Sequence, residues 1–112
     1  MKKIILTDDD PKYIFTLLLM NGDEAIGKLA ILPDRVKREL GVLDLFIEEK
    51  WRSKWLTKSF AKFLFKMFYN SCKEYKLASI ITRANNPKSL RLLDFFGFTS
   101  YNKKDYYLVI EG

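Results

Sequence analysis

The feature that most constrains this chain is a strand that runs almost directly into a long helix. Val42 to Ile47 is an apolar run of strand length, and the charged connection Glu48 to Lys50 follows it. Beyond Trp55, apolar residues recur at helical spacing. The first N–H groups of such a helix lack intrahelical partners and lie at the positive end of the helix dipole. We therefore expect an anion site at this junction, with phosphate as its usual ligand.

Runs rich in β-branched and aromatic residues predict strands on both sides of this unit. Asn21-Gly22 predicts a type I′ hairpin, because both central residues of that turn need positive φ. The sequence predicts a second helix that is capped by Asn85 or Asn86, has Pro87 in its first turn and ends at Gly97. The predicted elements are strands 3–7, 13–20, 24–32 and 42–47, a helix 56–75, a strand 78–84, the second helix, and strands 98–101 and 106–110. The predicted fold is α+β, with a mixed, mostly antiparallel sheet of about seven strands and two main helices.

Composition excludes several classes of chemistry. The chain of 112 residues has the length of one domain, residues 1–112, and contains no histidine. Ser-His-Asp and Cys-His catalysis are therefore absent. One cysteine, Cys72, excludes a multi-cysteine zinc site, and its place in the long helix indicates a buried structural thiol. The acidic cluster Asp8-Asp9-Asp10 precedes Pro11 and indicates a solvated turn, so we expect no metal.

Charge and hydropathy bear on partners and location. The formal net charge of +6 favours an anionic partner: a nucleic acid, an acidic protein or a phosphorylated cofactor. The longest apolar runs, such as Tyr13 to Met20, are too short to span a membrane. Asp8 interrupts the apolar N-terminal run before it reaches signal-peptide length. We therefore expect a cytoplasmic protein with no membrane partner.

Two segments resemble the signatures of the GNAT acyltransferases. Arg52-Ser53-Lys54-Trp55-Leu56-Thr57, after the apolar run Leu45-Phe46-Ile47, resembles their acyl-CoA signature R/Q-x-x-G-x-G/A. The segment from Asn86 to Phe98 resembles their second signature, N-x-x-A-x-x-L-Y-E-K-x-G-F. The resemblance implies a single GNAT-like domain. Only Asp8 to Lys12 separates the first two predicted strands, so the two helices that typical members place there are missing and the acceptor face is open.

The resemblance also implies a cofactor site for acetyl-CoA as co-substrate. In the family, backbone amides of the first signature hold the pyrophosphate, and amides from Ser53 to Thr57 are available for this role. Trp55 and Thr57 replace the two glycines, so the Trp55 indole must swing outward to leave the pocket clear. The implied cofactor-binding residues are Phe46, Ile47, Arg52, Ser53, Lys54, Trp55, Leu56, Thr57, Asn86 and Ser89.

The candidate catalytic residues are Asp44 and Tyr106. Asp44 is an acid inside an apolar run, and its burial would favour the neutral form and make it a usable base. The alternative is a hydrogen-bonded carboxylate on a wet face of the sheet. Leu93 stands where the family often has its tyrosine, and Tyr106 in the last strand is a substitute acid by location.

Two functions remain open on the sequence alone. One is an N-acetyltransferase that passes an acetyl group from acetyl-CoA to an amine. Its acceptor is then a protein or nucleic acid, or its site is completed by a second subunit in a homodimer. The other is a catalytically inactive domain of the same fold that binds nucleic acid or an acidic protein through a basic surface. Lys54, Lys58, Lys62 and Lys66 recur every four residues along the long helix and form either that surface or a solvated face.

Overall fold

The computed structural model describes residues 1–84 and 87–110. In this part of the chain, seven strands form one sheet and two α-helices accompany it. The α+β fold with a mixed, mostly antiparallel sheet and two main helices is confirmed. In chain order the elements are β1 (Lys2–Thr7), β2 (Phe15–Asn21), β3 (Glu24–Pro33), β4 (Leu40–Ile47), a 3₁₀ turn (Glu49–Trp51), α1 (Lys58–Glu74), β5 (Ser79–Arg83), α2 (Pro87–Phe96), β6 (Thr99–Ser100) and β7 (Asp105–Val109).

The sheet opens between β4 and β5. The strand order is β1-β2-β3-β4-β5-β7-β6, and β4–β5 is its parallel pair. That ladder joins only Leu40–Val42 to Ser79–Ile81, although β4 continues to Ile47. Beyond the ladder, the Thr82 hydroxyl donates to the Leu43 carbonyl at 3.1 Å. We call this opening the fork. It leaves the end of β4 with backbone groups that β5 does not pair.

The helices cover one face of the sheet. Cross-strand partners share a face, which places Phe15, Leu17 and Leu19 of β2 with Leu29 and Ile31 of β3. All five are fully buried in one cluster with Leu64 and Phe68 of α1. Phe96 of α2 stacks on Phe68, with ring centroids 5.4 Å apart. We call this side the covered face and the opposite side the open face.

Each helix ends where its local hydrogen bonds require. Thr57 is extended and caps α1, since its hydroxyl accepts the Phe60 N–H at 3.2 Å. The helix therefore begins at Lys58 rather than at the predicted Leu56. Gly97 ends α2 with φ of 86°, and the Phe98 N–H donates to the Leu93 carbonyl, as expected of a glycine cap. Lys76 adopts the same left-handed conformation after α1, with φ of 60°.

The first hairpin differs from its prediction in the place of the turn. Asn21 pairs with Glu24, so the two loop residues are Gly22 and Asp23 rather than Asn21 and Gly22. Only Gly22 of the two has positive φ, at 61°. Positive φ at the first loop residue alone is the pattern of a type II′ turn, so the predicted type I′ turn is wrong. The register also shifts between Leu19 and Met20, where a bulge leaves Ile26 of β3 without a partner on β2.

Candidate active site

A cleft of about 480 Å³ lies where β4, the connection to α1 and α2 meet. Its wall combines apolar residues of β4 with polar and cationic residues of the connection and α2. The lining includes seven of the ten residues that the resemblance implies as cofactor-binding. The lining residues are Leu45, Phe46, Ile47, Arg52, Ser53, Trp55, Leu56, Ser89 and Arg91.

Three of the implied cofactor residues are not in this lining. Lys54 is exposed, and its amino group lies 5.1 Å from the centroid of the Trp51 ring. Thr57 instead caps α1. Asn86 lies outside the residues that the structure describes. The cofactor roles of all ten remain predictions.

A smaller pocket of about 120 Å³ adjoins the cleft inside the fork and shares Leu45 and Ser89 with it. By strand register, the Asp44 and Arg83 side chains belong to the open face. The pocket therefore extends from the cleft through the fork toward the open face. Its lining residues are Leu43, Asp44, Leu45, Thr82, Arg83, Ala84, Ser89, Leu92 and Leu93.

The connection before α1 uses some of its own backbone donors. The N–H groups of Lys54 and Trp55 both donate to the Trp51 carbonyl, at 3.1 and 3.0 Å. The expectation that amides from Ser53 to Thr57 are all available to a phosphate is therefore wrong for these two. Between described residues, no hydrogen bond engages the N–H of Lys58 or Ser59 at the start of α1. Donors for an anion thus remain at the helix start.

Trp55 does not swing outward. Its side chain is only 6% exposed and belongs to the hydrophobic core. The indole meets the Phe60 ring edge-on, with centroids 6.4 Å apart. The expectation of an outward indole is wrong because packing on Phe60 removes its apolar surface from water. A wide cleft remains beside it, so the replacement of a signature glycine by tryptophan has not filled the site.

Two arginines give the cleft a positive wall. Arg52 lines the cleft, and its Nε donates to the Ile47 carbonyl at 3.1 Å, which ties the side chain to the end of β4. Arg91 is an exposed residue of α2 and also lines the cleft. Our sequence reasoning assigned no role to Arg91, although a cation two residues after Ser89 was the available signal.

The two candidate catalytic residues occupy different places. Asp44 is exposed on the open face, in line with the alternative of a carboxylate on a wet face of the sheet rather than a buried acid, and it lines the smaller pocket. Tyr106 is half-buried against the core on the covered face, pairs with Thr82 and lines neither pocket. The structure therefore brings Asp44, but not Tyr106, to the fork.

The hydroxyl groups of Thr82 and Ser89 belong to residues that line the smaller pocket. Leu93, which stands where the resembled signature often has a tyrosine, lines it as well. Our sequence reasoning missed Thr82 and Arg83. Their position at the carboxyl end of a strand with a parallel neighbour was the signal, because ligand sites in such sheets lie at those ends.

No family model and no curated protein matches the sequence. Solved structures do match the fold. An acetyltransferase of the GNAT family from Streptococcus pneumoniae matches with a TM-score of 0.67 and 16% identity, over 92% of this chain and 70% of that chain. The spermidine N-acetyltransferase of Vibrio cholerae, solved with CoA and spermine, matches with a TM-score of 0.68 and 15% identity, over 86% of this chain and 65% of that chain. An N-acetyltransferase of Campylobacter jejuni in complex with acetyl coenzyme A matches with a TM-score of 0.63 and 15% identity, over 91% of this chain and 71% of that chain.

This chain has the GNAT fold. Identities of 11–16% across the matches establish the fold and no more. Residues 8–14, between β1 and β2, form turns and bends without a helix. This GNAT fold therefore lacks the two helices that typical members place there, as predicted, and the open face has no helix on it in the described part of the chain.

Three further features bear on function in the described part of this GNAT fold: metal sites, membrane-spanning helices and a reactive cysteine. In residues 1–84 and 87–110, no three side chains of His, Cys, Asp or Glu come together as a metal site. No helix in the same residues combines the length and the apolar content needed to cross a bilayer. Cys72 is fully buried, and burial raises the pKa of its thiol to about 12, so the predicted structural role fits better than a nucleophilic one.

Proposed function

We propose that this protein is an acetyl-CoA-dependent N-acetyltransferase that binds acetyl-CoA in the cleft and transfers its acetyl group to an amine. One observation carries the proposal. A cleft of ligand size lies at the fork of a GNAT fold, and residues of β4, the α1 connection and α2 all line it. Proteins of the same fold have been solved with CoA or acetyl-CoA bound.

The phosphates of the cofactor would meet the positive wall of the cleft. Arg52 and Arg91 supply guanidinium groups, which suit phosphate oxygens because of their forked donor geometry. The N–H groups of Lys58 and Ser59 add donors at the positive end of the α1 dipole. This arrangement replaces part of the backbone contribution that Lys54 and Trp55 make unavailable.

The pantetheine arm would lie along the end of β4. Beyond Val42 this strand has no ladder to β5, so its backbone groups are open to an amide-bearing ligand that adds as a short strand. That path leads from Arg52 to Leu45 and Ser89, which line both cavities. The thioester would then occupy the smaller pocket, next to the hydroxyls of Thr82 and Ser89.

In the reaction we propose, the acceptor nitrogen attacks the thioester carbonyl carbon. A C–N bond forms, the C–S bond breaks, and the thiolate leaves with the electron pair. We propose Asp44 as the group that receives the amine proton, because it is the acid that lines the smaller pocket. Much of the rate would come from holding an already activated thioester beside the amine. No step is assigned to Tyr106.

Intrinsic fluorescence tests cofactor binding directly, because Trp55 lines the cleft and Trp51 precedes it by four residues. Acetyl-CoA should change the emission and raise the melting temperature. Arg52→Glu should weaken binding by at least about tenfold, since it puts a negative charge against phosphate. Arg38→Glu makes the same charge change on the exposed β3–β4 connection and should leave the affinity unchanged. Unaltered emission and melting temperature at millimolar acetyl-CoA would rule the proposal out.

A second candidate function is a non-catalytic domain that binds an anionic macromolecule. The outer face of α1 favours it: Lys58, Lys62 and Lys66 are all exposed, and Phe63 between them is 44% exposed. A gel shift with nucleic acid that weakens steeply with salt would support this alternative. Cytoplasmic location and a homodimer remain predictions from the sequence.

A further inference from the structure

The open face carries an apolar surface. Four of its large apolar side chains are more than a third exposed: Ile5 41%, Phe46 45%, Tyr107 37% and Val109 55%. Three of them lie in two rows that cross-strand pairing builds across the sheet, and Val109 lies two residues from Tyr107 on β7, on the same face. One row is Ile5, Leu18, Lys28 and Phe46, and the other is Leu32, Val42, Ile81 and Tyr107. A contiguous exposed apolar surface rimmed by polar groups marks a binding site.

Asp44 stands between these rows, two residues from Val42 and two from Phe46 on β4. Among the described residues, no hydrogen bond or ion pair engages its carboxylate. The carboxylate of Asp105, also on the open face, is paired: it accepts hydrogen bonds from Arg83 at 3.0 Å and from Asn102 at 2.7 Å. The apolar surface therefore surrounds one unpaired negative charge, which complements a cation.

That charge lies at the exit of the fork. Asp44 belongs by register to the open face, and it also lines the smaller pocket in which the thioester would sit. An amine held against Asp44 from the open face is thus next to the acyl group, while the cofactor occupies the cleft on the covered side.

From this geometry we propose that the acceptor is a polypeptide whose reactive amine has apolar side chains beside it, and that it docks on the open face with that amine at Asp44. The proposal rests on the acetyltransferase function proposed above. The size of the surface favours a polypeptide over a small amine. The row from Ile5 on β1 to Phe46 on β4 crosses three strand spacings, roughly 14 Å, which an extended peptide spans with about four residues.

Charge argues against a polyamine. Each additional ammonium group needs its own anionic partner to offset desolvation, and the described strand residues of the open face offer one unpaired carboxylate. Lys3 and Lys28 also lie on this face, and the chain has a net charge of +6. Repulsion therefore selects an acceptor with a single amine near apolar groups.

The overall step is balanced without another reactant. The substrate ammonium loses one proton to Asp44, which returns it to solvent. The nitrogen then forms the C–N bond as the C–S bond breaks, and the second proton that it loses is taken up by the CoA thiolate. The products are an N-acetylated peptide, CoA with its thiol protonated, and one proton.

Acetylation of short peptides with blocked N-termini and one central lysine tests this proposal. Lysine flanked by leucine and phenylalanine should be acetylated with kcat/KM at least about tenfold above lysine flanked by serine, and above spermidine. Ile5→Ser and Val109→Ser should raise KM for the apolar peptide several-fold and leave acetyl-CoA affinity unchanged, since neither residue lines the cleft. Phe63→Ser is the matched control, because this aromatic is 44% exposed on α1.

The outcomes separate this proposal from the one on which it rests. Equal or better use of the serine-flanked peptide, of spermidine or of an RNA would overturn the acceptor proposal, provided that acetyl-CoA still changes the tryptophan emission. Unchanged KM in both open-face variants, with melting temperatures that show folded protein, would overturn it as well. Absence of any acetyl-CoA signal would remove both proposals together.

Discussion

The two faces of the sheet are made from the same strands, yet their apolar residues differ in exposure to solvent. On the covered face, Phe15, Leu17 and Leu19 are fully buried beneath the helices. On the open face, Ile5 and Val109 expose 41% and 55% of their surface. Burial explains apolar residues on the first face but not on the second. This difference is the basis of our proposal that the open face contacts the acceptor.

The largest expected effect contrasts one core residue with one open-face residue. Phe68→Ala removes a fully buried ring that stacks on Phe96, and it should lower the free energy of unfolding by about 3–5 kcal/mol. Val109→Ala should change it by less than about 0.5 kcal/mol. Urea denaturation measures both values. A large loss for Val109→Ala would break the comparison and show that the open face is buried in an assembly.

A second prediction concerns Gly27, where β3 approaches β4 at the cleft. A Cβ there would lie 2.1 Å from the Phe46 carbonyl oxygen and 2.8 Å from the Ile47 Cα, both backbone atoms that cannot move aside. Gly27→Ala should therefore cost about 1–3 kcal/mol and weaken acetyl-CoA binding through displaced β4 residues. Ala25→Ser, at an exposed position of the same strand, is the control. An unchanged urea midpoint for Gly27→Ala would contradict the tight approach.

Lys76 offers a test in the stabilising direction at the end of the covering helix. Its φ of 60° is costly for a residue with a Cβ, and glycine removes that cost. Lys76→Gly should raise the free energy of unfolding by about 0.5–1 kcal/mol. Lys66→Gly, an exposed site within α1, should lower it by about 1 kcal/mol. The same sign for both variants would argue against the left-handed cap.

The smallest effect is the acid dependence of one ion pair on the open face. Arg83, and then Asn102, lower the pKa of Asp105 below its ordinary value of 3.8. A depressed pKa contributes stability above the unfolded value, and that contribution disappears as the pH falls through the folded value. The melting temperature of Asp105→Asn should therefore fall less steeply than wild type below about pH 4. Asp23→Asn, an exposed turn residue, should follow wild type.

Local patterns were enough to predict most of the fold. Apolar periodicity indicated α1 from Phe60 to Phe68, and Gly97 marked the end of α2, because both signals come from neighbouring residues. The strand-to-helix junction also indicated the cleft that Arg52 and Ser53 line. The junction alone predicted an anion site, and the resemblance to the GNAT signature implied these two residues.

The errors at the site come from tertiary packing. Whether the Trp55 indole points inward depends on the position of Phe60, and the loss of the Lys54 amide depends on how the connection turns back to Trp51. For Asp44 the sequence left two interpretations open, a buried acid or a carboxylate on a wet face, because an apolar run does not show which face of its strand is covered. The strand register of the structure then places Asp44 on the face that no described helix covers.

The three-pair ladder at Leu40–Val42 and Ser79–Ile81 has a mechanical consequence. It is the seam between an N-terminal half, β1 to β4, and a C-terminal half, β5 to β7. The cleft lies beyond that seam, between the end of β4 with its connection to α1 on one side and α2, which follows β5, on the other. A ligand that fills the cleft would hold the two halves together. The resistance of the protein to thermal unfolding and to proteolysis at the seam would then grow with the ligand concentration.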